Sequence, residues 1–181
     1  ITLKARNIQE EVIKDYENFE IHLAFQKILN FCTNELGGFY LDIIKDRLYT
    51  SKKEGVARRS AQSSMFQIYS SLLTLISPIL SFTAEEAYLE KNGEGSSIFL
   101  SSWFDDWEDF DHKIEDDLWA QLVSLKNNVN KEIEEKRNLG EVGSSLEAKV
   151  SLQCNDKSFM QLNDFKDELK FLFISSDVEL Y

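Results

Sequence analysis

A single proline, Pro78, stands in 181 residues, and only seven glycines accompany it. Proline removes a backbone donor and clashes with the preceding helical turn, and glycine costs about 1 kcal/mol in a helix interior relative to alanine. A chain so poor in both is suited to long helices with few tight turns. The hydrophobic pattern agrees over most of its length. Ile8, Val12, Ile13 and Tyr16 mark a first helix over 3–17. From Phe19 to Tyr49, the residues Ile21, Phe25, Ile28, Cys32, Leu36, Phe39 and Ile43 recur three or four apart, with Lys27, Asn30, Asn34, Gly38 and Asp42 on a polar stripe. Gly37-Gly38 interrupts this run. The pair implies a kink or a close helix–helix approach, or else a simple break into two helices.

Residues 50–55 form a short connection, and a third helix follows with Ala61, Met65, Ile68, Leu72, Leu75 and Ile79 on one face. Pro78 should kink or end it near Ser77. Thr83 with Glu86, preceded by Phe82, reads as a capping box opening a short helix from Ala84 to Lys91, which stops at Asn92-Gly93. Residues 93–112 form an irregular acidic and aromatic loop whose Trp103, Phe104, Trp107 and Phe110 are expected to pack over the bundle end. A fifth helix carries Ile114, Leu118, Leu122, Leu125, Val129 and Ile133 in register and ends near Leu139-Gly140.

The period then changes from helical to two. Leu146, Ala148, Val150, Leu152 and Cys154 alternate with Glu147, Lys149, Ser151 and Gln153, as in a half-buried strand. Phe159, Leu162, Phe165, Leu169 and Leu172 make another helical face, and Val178 with Leu180 marks a last strand. The expected fold class is therefore mainly α: an antiparallel helical bundle over 1–140, then a small α+β subdomain, β-α-β, over 141–181. The chain starts at Ile1 without a methionine and closes on an interrupted strand, so it is expected to be an excised piece, truncated in its last subdomain.

Composition removes several function classes. No apolar run approaches the roughly 18–20 residues a membrane-spanning helix needs. Two cysteines, Cys32 and Cys154, make no disulfide framework and no signal peptide leads the chain, so the expected compartment is the reducing cytoplasm. Glu-x-x-His pairs of the di-metal bundles are missing, because neither His22 nor His112 has a glutamate three positions before it. The cysteines lie far apart on apolar faces, which disfavours zinc. There is no Gly-x-Gly-x-x-Gly and no phosphate loop; Gly140–Ser145 has glycines but no lysine. The carboxylates between Asp105 and Asp117 lack the ligand spacing of an EF-hand and read as a solvated acidic loop. No catalytic or metal-ligating residue is assigned.

The net charge of −12 argues against a nucleic-acid partner taken whole. The average hides an asymmetry: residues 1–80 carry +1, residues 81–125 carry −10 and residues 126–181 carry −3. Within the first stretch, Lys45, Arg47, Lys52, Lys53, Arg58 and Arg59 face only Asp46 and Glu54, a local +4 across fifteen residues. They span the end of one helix, a short loop and the start of the next, so they can converge on one end of the bundle and suit a phosphate backbone. A solvated helix hairpin would carry the same residues.

Phe39-Tyr40-Leu41-Asp42-Ile43-Ile44-Lys45-Asp46-Arg47-Leu48-Tyr49-Thr50 closely resembles a stretch of the isoleucyl-tRNA synthetase family, in the helical anticodon-binding domain. Three further segments are similar, in the family's order and spacing: Ala57–Gln62, Ser77–Glu86 and Gly143–Val150. The resemblance covers most of the chain and implies a class I aminoacyl-tRNA synthetase, using ATP and magnesium to join isoleucine to its tRNA. The family's two nucleotide-binding signatures and its editing domain have no counterpart here, and a zinc module, in members that carry one, would lie beyond Tyr181. The resemblance thus implies a part that holds and orients isoleucine tRNA, alongside the rest of its own synthetase chain, and does no chemistry itself. Lys45, Arg47, Arg58 and Arg59 lie inside the matched segments and are expected as the main phosphate-binding patch, while Lys52 and Lys53 come from the charge argument. The alternative is a helical protein-interaction module docking through its acidic, Trp-rich loop.

Overall fold

A computed structural model describes residues 1–108 and 116–181. Asp109, Phe110, Asp111, His112 and Ile114 of the expected loop and helix start lie outside the described residues. The chain divides into two compact units, Ile1–Asp109 and Phe110–Tyr181. The helix expected as the fifth of the bundle falls in the second of these units, with the small sheet.

In the first unit, α1 (Thr2–Glu17), α2 (Ile21–Asn30), α3 (Leu41–Tyr49), α4 (Val56–Ile76) and α5 (Ser81–Asn92) are all helical, and a π-helical segment, Phe31–Tyr40, joins α2 to α3 without a break. The expected break into two helices at Gly37-Gly38 is not found, since helical winding continues through it. The backbone winds with bonds five residues apart, as in Leu41 N–H donating to the Leu36 carbonyl. Glycine fits there because a Cβ at Gly37 or Gly38 would stand 3.2 Å from the carbonyl oxygen of Cys32 or Thr33, five residues back.

The face expected to be buried on α2 is also corrected. Ala24, Ile28 and Phe31 are in the core, whereas Ile21 and Phe25 are 44% exposed each. Apolar residues occupy two adjacent stripes here, and the small Ala24 sits in one cluster with Val12, Ile28 and Leu75. A neighbouring cluster joins Ala5, Phe31 and Ile68, with Trp107 packed against it. A buried polar chain crosses this core. Ser71 Oγ donates to Gln9 Oε1 at 2.6 Å, and Gln9 Nε2 donates to the Phe104 carbonyl at 2.7 Å. Buried polar groups need such partners, since an unpaired one costs about 1–3 kcal/mol.

Pro78 follows α4, which ends at Ile76 as expected. The expected capping box does not form. Helix α5 starts earlier, at Ser81, with Leu80 as a cap without a side-chain bond, so Thr83 lies inside the helix. Ser81 Oγ donates instead to the Ser77 carbonyl, and the nearby Glu85 carboxylate accepts the Ile98 N–H at 2.8 Å. The aromatic loop packs on the bundle as expected: Trp103 stacks on Tyr16 at 6.0 Å between centroids, and Phe104 meets Trp107 edge-on at 4.9 Å.

In the second unit, α6 (Asp116–Asn138) lies with β1 (Lys149–Leu152), α7 (Asp156–Asn163), α8 (Lys166–Phe173) and β2 (Asp177–Leu180). Leu122, Val129 and Ile133 of α6 pack with Val150, Leu162, Leu169, Phe173 and Val178. The strands are parallel, pairing Lys149 with Asp177 through Leu152 with Leu180. The expected strand over Leu146–Cys154 is shorter than its alternation suggests, because Ser145–Glu147 coil into a 3-10 turn. The single helix expected around Phe159–Leu172 is two, broken at Asp164-Phe165.

Candidate nucleic-acid interface

Helix α3, residues 50–55 and the start of α4 form one hairpin. At the end of α3, Thr50 N–H and Oγ1 both donate to the Asp46 carbonyl, at 2.9 and 2.6 Å. Gly55 N–H then donates to the Lys52 carbonyl at 2.9 Å, closing a turn that presents Lys52 and Lys53. Gly55 caps α4 with an extended backbone.

The six expected cations divide by what they touch. Lys45 is exposed on α3 and pairs with Asp42 Oδ1 at 2.6 Å; this hydrogen bond, with the carboxylate charge behind it, holds its ammonium above the usual lysine range. Arg59 is exposed on α4, where Nη2 meets Glu54 Oε2 at 2.9 Å. Arg58 is half-buried. Its Nη1 makes a long bond of 3.4 Å to the Ser51 carbonyl, and its Nε is buried without a hydrogen-bond partner. That places Arg58 against the inner side of the loop. Arg47 is half-buried on α3. Its charge favours the ionised form of the Tyr40 phenol, although burial outweighs it and pushes that phenol up. Lys52 and Lys53 are exposed, and neither forms an ion pair among the described residues.

Two apolar side chains stand in this hairpin that periodicity assigned no surface role. Tyr49, the last residue of α3, is 81% exposed, and Val56, the first of α4, is 86% exposed. Tyr49 lies four residues after Lys45, on the same helix face. An apolar residue at the end of a periodic run looks like core by spacing; what marks it otherwise is its place among cations.

The family model for the anticodon-binding domain of tRNA ligase matches residues 1–152. The chain belongs to this family. Two isoleucine–tRNA ligases illustrate the likeness. The one from Legionella pneumophila (strain Paris) is 44% identical over 173 residues, 95% of this chain and 18% of the relative. The one from Shewanella sp. (strain MR-4) is 41% identical over 180 residues, 98% of this chain and 19% of the relative. The chain therefore spans about a fifth of the length of these relatives. Membership in the anticodon-binding family gives the basic hairpin a context, for it falls inside the matched region. The acidic loop fits a docking role poorly, because its Trp103, Phe104 and Trp107 are engaged with Tyr16, Gln9 and the Phe31 cluster. Among the described residues, no three His, Cys, Asp or Glu side chains gather to hold a metal ion, and no helix is long and apolar enough to cross a membrane.

Proposed function

We propose that this chain is the tRNA-holding part of an isoleucine–tRNA ligase, orienting isoleucine tRNA for ATP-dependent aminoacylation carried out elsewhere in the same polypeptide. The observation that carries the reading is 44% identity to an isoleucine–tRNA ligase over 95% of the chain. In this reading ATP and magnesium, and zinc where the enzyme carries a zinc module, belong to other parts of that cytoplasmic enzyme.

The hairpin is the proposed phosphate contact. Lys52 and Lys53 are ready to meet phosphates directly. Lys45 and Arg59 can exchange an exposed carboxylate for a phosphate at little cost, because exposed ion pairs are weak. Arg47 and Arg58, half-buried, hold the hairpin and offer what remains of their planar forks.

Fluorescence anisotropy with isoleucine tRNA over a salt series tests this. Replacing Lys52 and Lys53 by Ala is expected to weaken binding and to flatten the log–log salt slope by roughly 0.7–0.9 per cation removed. Arg58→Ala with Arg59→Ala is expected to weaken it as well. No binding by the unaltered chain at low salt, or a slope indifferent to both double variants, overturns the assignment.

A further inference from the structure

We infer that Tyr49 is a base-stacking residue: its ring receives an unpaired nucleobase of bound RNA while the surrounding lysines hold the adjoining phosphates. The inference rests on the proposed tRNA-holding role and extends it from phosphate to base. Nothing in that role requires an aromatic at the hairpin, so the two can fail separately.

Three aromatic side chains of the first unit are more than four-fifths exposed: Phe19 at 88%, Tyr49 at 81% and Phe82 at 93%. Isolated exposed apolar residues are ordinary on a protein surface, so exposure alone singles out none of them. Their surroundings do. Phe19 stands between Glu17 and Glu20, and Phe82 is followed by Glu85 and Glu86, so both sit in anionic sequence. Tyr49 is preceded by Lys45 and Arg47 and followed by Lys52 and Lys53, with Arg58 and Arg59 across the hairpin. Of the nearby acids, Asp42 and Glu54 are paired with Lys45 and Arg59, and Asp46 is the one exposed carboxylate left against this positive charge.

The backbone also fixes where the residue stands. Tyr49 is the final residue of α3, and Thr50 caps the helix through two bonds to the Asp46 carbonyl. The side chain therefore projects from a regular helix end. Among the described residues its hydroxyl makes no hydrogen bond, and the charge it interacts with is the Lys45 ammonium. An exposed aromatic ring beside the unpaired Lys52 and Lys53 is the combination single-stranded RNA requires: bases stack on the π face, which every base can do, and the backbone follows the positive charge. A duplex, whose bases are already stacked, has no use for the ring. The ligand chemistry is thus an RNA loop with an unpaired base.

The experiment compares two labelled RNAs of equal length and charge, an anticodon-arm hairpin with its unpaired loop and a fully paired duplex, by anisotropy with the full chain. Tyr49→Ala is expected to lose about tenfold in affinity for the hairpin, with its salt slope and duplex binding unchanged, while Tyr49→Phe retains the hairpin affinity. Circular dichroism checks the fold. Should the alanine variant unfold, Tyr49→Leu keeps apolar bulk without a π face and is expected to lose the same tenfold. Hairpin binding that survives Tyr49→Ala, or Tyr49→Leu in its place, overturns stacking; if Lys52→Ala with Lys53→Ala still weakens it, the phosphate role stands. An equal loss on hairpin and duplex also overturns stacking. If the unaltered chain binds neither RNA, both readings fall.

Discussion

At the C-terminus of α6, Glu141 N–H donates to the Lys136 carbonyl and Gly140 N–H to that of Arg137, with Gly140 at φ 73°. This closure places one residue in the left-handed region, where glycine has no steric cost. The same pattern ends α1 and α8, but with Phe19 at φ 61° and Ile174 at φ 54°. Left-handed backbone costs an L residue roughly 1–2 kcal/mol. Since the Phe19 ring is 88% exposed, Phe19→Gly gives up little packing and is expected to stabilise the first unit by about 1 kcal/mol, read from urea denaturation. A loss of stability would mean the exposed ring packs more than its area shows. Gly140 was legible in the sequence because glycine after a helical run signals this closure; Phe19 was not, since no local rule places phenylalanine there. The capping box misled for the related reason that Thr83 and Glu86 match a local pattern, while Ser77 and Ile98, distant or out of phase, drew the nearby side chains into other bonds.

At the scale of elements, α6 explains both what the amphipathic pattern reveals and where it stops. Its spacing of Leu122, Leu125, Val129 and Ile133 establishes that one face is buried, but not against which partner, and here the partner is the parallel β-α-β piece. The alternation of Val150 with its neighbours located β1 well, whereas the break between α7 and α8 leaves the apolar spacing almost intact and was invisible to it. Phe173 is fully buried in this core. Phe173→Ala is expected to cost about 3–5 kcal/mol, seen as faster hydrogen exchange over 149–180. Lys149 links the strands through Glu179 and Asp177, and the Glu179 hydrogen bond raises its ammonium while lowering the carboxylate. The lowered carboxylate contributes above the ordinary value of 4.5 and is lost as pH falls through its depressed folded value. The raised ammonium contributes below 10.5 and is lost as pH rises through its elevated one. A thermal-stability profile is therefore expected to lose its dependence on Glu179→Gln at both pH extremes; a difference that persisted there would assign Glu179 another role.

Over the whole molecule, the acidity of 81–125 against the near-neutral 1–80 is expected to confine RNA attraction to one region, which salt should weaken readily. The isolated chain is expected to show no isoleucine-dependent ATP–pyrophosphate exchange; activity above background would require chemistry in residues to which none is assigned. Chain length is a separate matter, and the π-helical Phe31–Tyr40 bears on it. A backbone wound five residues per bond holds surplus chain that ordinary α winding would not need. Removing one residue there lets a wide turn relax to a normal one while α2 and α3 keep their inward faces, Ala24 and Ile28 on one side and Ile44 on the other. A deletion of Gly38 should therefore leave a folded protein, whereas a deletion of Ser70 swings every later residue of α4 by about 100° and drives its polar face inward. Among these helices, the glycine pair marks where the chain is expected to give up a residue and still keep its basic hairpin facing the same way.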